Sequence, residues 1–395
     1  MNKDGSNSTV SGRHFLQIPG PTNVPDRVLR AIDKPTINHR GPDFGALGRT
    51  ILARLRLIFK TADPVIVYPA SGTGAWEAAL VNALSPGDAV LMCRTGWFAT
   101  LWEDMARRFG LAPEFIDTDW RHGADVAAIG ERLAADREHR IKAVCVVHNE
   151  TSTGCTSRID EVRSAMDAAG HPALLMVDTI SSLASMDYRH DEWRVDVTVA
   201  GSQKGLMLPP GLSFNAISKK AIRAAEHARL PRSYWDWRPM LAANESGFFP
   251  YTPSTNLLYG LAAALDMLLE EGLDNVFARH DRFAEATREA VRAWGLEIQC
   301  LEPRHYSSSL TAVRVPEGLS ADALRATILE RTNMSLGNGL GILKDRVFRI
   351  GHLGDLGALQ LIGTLGGIEL GLRAAGIPHH PGGVQAAIDS LAGNA

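Results

Sequence analysis

The stretches "ALLMVDT" (173–179) and "DVTVAGSQKGLMLPPG" (196–211) decide how this chain is read. Each opens on an apolar run that is continuous rather than alternating, the pattern of a strand covered on both faces. Each then reaches a charged residue, Asp178 in the first and Lys204 in the second. Working outward, similar runs occur at "PVIVYP" (64–69), "AVLMC" (89–93), "IKAVCVVHN" (141–149) and "LSFNAIS" (212–218). Helical patterns lie between them. "GAWEAALVNAL" (74–84) is one; "SRIDEVRSAMDAAG" (157–170) is another, with Ser157 as N-cap and Gly170 as stop. The alternation predicts an α/β fold with a doubly wound, mainly parallel sheet.

From about residue 254 the texture changes. "STNLLYGLAAALDMLLEEG" and "VFARHDRFAEATREAVRAWG" read as long helices, followed by short mixed segments and a helix over 355–376. This predicts a large domain over 19–275 and a smaller α+β domain over 276–395, after a flexible segment at 1–18 whose first dozen residues are mobile. The boundary falls within 265–285.

Composition narrows the function classes. The chain has 395 residues, 45% of them hydrophobic, enough for a sizeable core. A net charge of −3 offers no basic field for nucleic acid. The four cysteines (Cys93, Cys145, Cys155, Cys300) show no CxxC pair and no Cys/His ligand spacing, so we expect reduced thiols, no structural zinc and a cytoplasmic location. The N-terminal stretch lacks the apolar core of a signal peptide, the final "LAGNA" is no address tripeptide, and no run has the length of a membrane span.

In open parallel sheets, ligands lie beyond the carboxyl ends of the strands. After "PVIVYPA" comes "SGTGAWE", a turn opening a helix and suited to phosphate, though neither a P-loop nor a dinucleotide fingerprint. After "ALLMV" comes Asp178, costly there without a partner, or else the N-cap of "TISSLAS". After "IKAVCVV" comes the hydroxyl-rich "HNETSTG". After "DVTVA" comes Lys204, either a solvated loop lysine or a nucleophile within reach of a carbonyl. A phosphate cradle, a carboxylate, hydroxyls and an amine together suit pyridoxal phosphate, whose aldehyde takes a lysine and whose pyridine nitrogen must stay protonated.

With these residues in place, the chain resembles the class V, fold-type I aminotransferases, specifically the serine–glyoxylate and alanine–glyoxylate branch. The matching stretches are "PGPTNVP" (19–25), "SGTGAWEAAL" (71–80), "HNETSTG" (148–154), "HPALLMVDTISS" (171–182), "GSQKGLMLPPGL" (201–212), "YTPSTNLLYGL" (251–261) and "FRIGHLG" (348–354). The resemblance implies pyridoxal phosphate carried on Lys204, with Asp178 at the pyridinium. It places Ser71, Gly72, Thr73, Gly74 and Gln203 at or beside the phosphate, joined by Thr252 of the neighbouring subunit. Thr151 would bond the cofactor, Ile180 would contact it, and Phe98 would cover its ring, with Trp97 as the adjacent alternative. Arg349 would grip the substrate carboxylate. The resemblance further implies a homodimer with active sites at the interface, and amino-acid and 2-oxo-acid substrates.

The "GTGAWE" and "HNET" forms lean towards serine as donor and glyoxylate as acceptor. Alanine or aspartate as donor, a lyase or desulfurase, and a non-catalytic scaffold are the rival readings. A desulfurase needs a cysteine on a mobile loop. Cys155 and Cys300 read instead as structural. His148, at a strand end, is a candidate lining residue. His379 and His380 read as surface, and "ERLAADREHR" and "ARHDRFAEATRE" as solvated helix faces.

Overall fold

The computed structural model describes residues 13–393. The expectation of mobility over the first dozen residues lies outside that range. In chain order the described strands are β1 (Phe15–Gln17), β2 (Val65–Tyr68), β3 (Ala89–Arg94), β4 (Ala112–Asp117), β5 (Ile141–Val147), β6 (Asn149–Glu150), β7 (Cys155–Thr156), β8 (Leu174–Asp178), β9 (Val197–Gly201), β10 (Ser213–Ile217), β11 (Glu297–Ile298), β12 (Leu310–Arg314), β13 (Met334–Asn338) and β14 (Val347–Gly351).

The large sheet has the order β2-β10-β9-β8-β5-β3-β4. Its pairs from β9 through β4 are parallel, and β10 runs antiparallel to both of its neighbours. Alternate residues of one strand reach opposite faces, and both faces are packed here. Val144 and Val146 of β5 join one apolar cluster, and Ala143 and Cys145 join the other. Leu175 and Val177 of β8 separate from Leu174 and Met176 in the same way. Two-sided burial is the cause of the continuous apolar runs.

The smaller sheet has the order β1-β13-β14-β12-β11, backed by a core that includes Phe283, Trp294, Phe348 and Leu365. Helix Leu273–Ala293 lies along this core, and helix Gly383–Gly393, absent from the sequence reading, adds Ala387 to it.

Several expectations are corrected. Within the supposed flexible segment 1–18, Phe15–Gln17 pairs in parallel with Met334–Leu336 and so belongs to the smaller sheet. Ser157 does not cap the next helix. Its N–H donates to His148 O (2.8 Å), its hydroxyl accepts from Ala124 N (3.1 Å), and Arg158 holds the N-cap place before Ile159–Ala168. β4 carries Pro113 and is half-exposed at the sheet edge, which explains its weak apolar signal. The "ARHDRFAEATRE" run is not wholly solvated. His280 is buried and its Nε2 accepts from Gly354 N (3.0 Å), while Arg288 donates to Ser307 O (3.2 Å). All four cysteines are unpaired and buried, His379 is half-buried and His380 is exposed.

Candidate active site

Lys204 follows β9 in a turn whose backbone is drawn inward, and its side chain is 8% exposed. The amine donates to Pro19 O, the one partner that the N-terminal "PGP" turn offers it. The fit there is close. Gly20 has φ +95°, and a Cβ on it would stand 2.7 Å from Lys204 Nζ, so glycine is required on both counts. Burial lowers the Lys204 pKa to about 7; the Arg349 cation adds to this, and the Asp178 carboxylate opposes it. The amine is therefore substantially uncharged near neutrality, as a nucleophile or proton acceptor must be.

Asp178 ends β8 and is almost wholly buried. Its Oδ1 accepts from Ile180 N (2.7 Å) and its Oδ2 from Trp76 Nε1 (3.1 Å). Burial raises its pKa to about 7 despite those donors, with Glu150 raising it further and Lys204 lowering it. A carboxyl held this way takes up a cationic partner readily, because a cation beside it restores the charged form. Trp76 went unassigned in the sequence reading, which noted it only as following the glycine turn. It lies one turn into helix Gly72–Ala83 and stacks on Trp102 with ring centroids 5.8 Å apart, so the indole that aims at Asp178 is itself fixed.

The Ser71–Gly74 turn opens that helix. Ser71 and Thr73 are exposed, and the Ser71 hydroxyl makes no capping bond. Ile180 packs under it: a Cβ on Gly72 would lie 2.8 Å from Ile180 Cγ1. A helix N-terminus with free hydroxyls can receive an anion. Gln203 Oε1 is buried without a hydrogen-bond partner, and it borders Gly201 as Ile180 does.

Thr151 is buried at the bend of the β6–β7 hairpin; its hydroxyl donates to Ser181 Oγ (2.8 Å). Its carbonyl accepts from Arg349 Nη1 (2.8 Å), while Arg349 Nε donates to Asn338 O (2.7 Å). Arg349 lies in β14 opposite Ala312 and Gly337. Burial lowers its pKa to about 10, so it remains cationic. Among the described residues Nη2 makes no hydrogen bond, which leaves that edge of the fork for an incoming carboxylate.

Glu150 is a second residue that sequence reasoning left without a role. Its buried carboxylate accepts from Ala99 N (3.1 Å), Phe98 N (3.3 Å), Ser152 N (3.0 Å) and Ser152 Oγ (2.6 Å). It thereby holds the N-terminus of helix Trp97–Arg108. From that end Phe98 packs with the cluster that holds Trp76 and Ile180. Trp97 turns away and packs with Trp120, Leu310 and Val347. His148 is also turned away: its Nδ1 meets Ser182 Oγ (2.9 Å) and its ring meets Tyr188 and Trp193. Thr252 is exposed, just before helix Thr255–Glu271.

The arrangement fits pyridoxal phosphate by its donor set. A buried Gln203 oxygen without a hydrogen-bond partner, a helix N-terminus with no side-chain cap, a buried carboxyl and a buried amine of lowered pKa make up that set. Comparison with known proteins agrees. Residues 14–340 match the family described as Aminotransferase class-V. The chain is 48% identical over 390 residues to a serine--glyoxylate aminotransferase of Methylorubrum extorquens, covering 97% of each chain. It is 47% identical over 380 residues to an L-aspartate--glyoxylate aminotransferase of Paracoccus denitrificans, covering 96% of each. Among solved structures, pyridoxamine-pyruvate aminotransferase from Mesorhizobium loti superposes with a TM-score of 0.91 at 28% identity, covering 98% of each chain. The fold is that of the fold-type I pyridoxal-phosphate transferases. Within that class the chain belongs to the class-V aminotransferase family.

Proposed function

We propose that the protein transfers the amino group of L-serine to glyoxylate, giving hydroxypyruvate and glycine, with pyridoxal phosphate held on Lys204. The observation that carries this reading is the convergence of a depressed amine, a buried carboxyl and a half-free guanidinium, Lys204, Asp178 and Arg349, whose charges act on one another. Serine as donor rests on the relative at 48% identity. Aspartate is the second reading, on the relative at 47%.

When bound, the cofactor supplies an aldehyde that condenses with amines and a ring that withdraws electrons from the substrate α-carbon. The chain does the rest. Asp178, fixed by Trp76 and Ile180, would pair with the pyridine nitrogen and keep it protonated. Ser71, Gly72, Thr73, Gly74 and Gln203 take the phosphate, with Thr252 reaching the partner's site in a cytoplasmic homodimer. Phe98 would cover the ring, and Thr151 would bond the cofactor. Arg349 holds the α-carboxylate of donor and acceptor in turn. Lys204 would hold the cofactor's aldehyde, and its amine would accept the substrate α-proton and give it back. Its pKa near 7 suits both directions.

The test is a matrix of L-serine, L-aspartate and L-alanine as donors against glyoxylate and pyruvate as acceptors. The reading expects serine with glyoxylate to have the highest kcat/KM and hydroxypyruvate to form in equal amount to glycine. A preference for aspartate selects the second reading, and no transfer with glyoxylate removes both.

A further inference from the structure

At the other end of the large sheet lies a cluster that the transamination chemistry does not use. Asp63 stands just before β2, and His190 and Asp191 lie in the connection between β8 and β9. These positions precede the amino ends of parallel strands, whereas Lys204 follows the carboxyl end of β9. Asp63 and the adjacent pair His190 and Asp191 bring one imidazole nitrogen and two carboxylate oxygens within 4.8 Å of one another.

The histidine is the telling member. His190 is 1% exposed, and its Nε2 has no hydrogen-bond partner. Its other nitrogen, Nδ1, lies 2.7 Å from Thr198 Oγ1, which lies 2.6 Å from the Tyr188 hydroxyl. With Nδ1–H donating to Thr198 and Thr198 donating to Tyr188, Nε2 carries a free lone pair. That is the support a metal-binding histidine receives from the groups behind it.

The carboxylates are positioned and still have capacity. Asp191 accepts from Thr61 Oγ1 (2.6 Å) and from Ala62 N (2.8 Å), one bond per oxygen, which leaves further lone pairs. Asp63 is partly exposed, and its carboxylate lies within 4.8 Å of the other two ligand atoms. One imidazole nitrogen and two carboxylates thus converge on a single point.

We propose that Asp63, His190 and Asp191 form a site for a divalent transition cation, with Zn2+ the best match. One imidazole and two carboxylates suit a borderline ion and leave a fourth position for water. The ion would join the turn before β2 to the connection that leads into β9, the strand that Lys204 follows.

The experiment uses tag-free, cofactor-loaded, chelator-treated full chain, titrated with Zn2+ by calorimetry. Wild type should bind one Zn2+ per chain with a raised thermal midpoint. Asp63→Asn should bind at least tenfold more weakly, with no rise and with unchanged transaminase turnover. His190 is tested without substitution, because its removal would also unsettle Thr198. X-ray absorption at the zinc edge should show one imidazole nitrogen with oxygen ligands. Absence of stoichiometric binding, equal binding by Asp63→Asn, or a sulfur ligand in the absorption spectrum would overturn the assignment.

Discussion

Trp76 donates its indole N–H to Asp178 Oδ2 at 3.1 Å, while the backbone of Ile180 takes the other oxygen. The carboxyl is thus aimed before any cofactor arrives. Asp178→Asn should fold and lose about two to three decades of turnover, because a charge-assisted bond in a dry site contributes about 2–4 kcal/mol. Trp76→Phe keeps a ring against Trp102 and removes only the N–H, so its loss should be near tenfold, about 1.4 kcal/mol. Single-turnover rates check both, and near-normal turnover in Asp178→Asn would refute the role.

Arg349→Lys should keep the cofactor spectrum and weaken donor and acceptor alike, by about 2 kcal/mol or more each, since lysine replaces a planar fork with a point charge. An amine donor lacking a carboxylate should be indifferent to the change. Unaltered kcat/KM for serine and glyoxylate would place the carboxylate elsewhere.

Much of this was legible beforehand, for physical reasons. The runs around β5, β8 and β9 are apolar throughout because both faces are covered, and Asp178 and Lys204 stood out because charge at the end of such a run needs a partner. β1 was lost to the eye because three residues on a sheet edge give no period. β10 looked like the other strands because two-sided burial does not encode direction. Trp76 and Glu150 read as ordinary helix and loop residues. Their roles depend on contacts with Asp178 and with the helix that begins at Trp97, which spacing along the chain does not reveal.

Thr252 is exposed in the single chain, and the proposed function assigns it to a neighbouring subunit's site. A mixed dimer of Lys204→Ala and Thr252→Ala chains holds one doubly damaged site and one intact site. Subunit exchange between the two weakened parents should therefore restore activity. Mixed dimers without recovery would contradict the shared site.

Titration of the cofactor-free protein should betray the buried pair. The folded Asp178 pKa, about 7, lies above that of an unfolded aspartate, near 3.9. Its contribution to stability is therefore full below about pH 4 and lost as pH rises through about 7. Lys204, depressed to about 7, runs the other way: its contribution is full above about pH 10.4 and lost as pH falls through about 7. Between about pH 4 and 7, cofactor-free wild type should lose stability relative to Asp178→Asn, by at most about 4 kcal/mol. Urea unfolding across that range checks it; a constant difference would mean that Asp178 is not held in its neutral form.

The central claim is that Lys204 carries the cofactor. The purified protein should absorb at about 400–430 nm, as lysine-bound pyridoxal phosphate does when protonated. Borohydride should bleach that band and fix the cofactor covalently, and Lys204→Ala should show neither the band nor turnover. Mass spectrometry of the reduced protein is the direct measurement. The modification is predicted on the peptide containing Lys204, and its recovery on any other lysine would contradict the account.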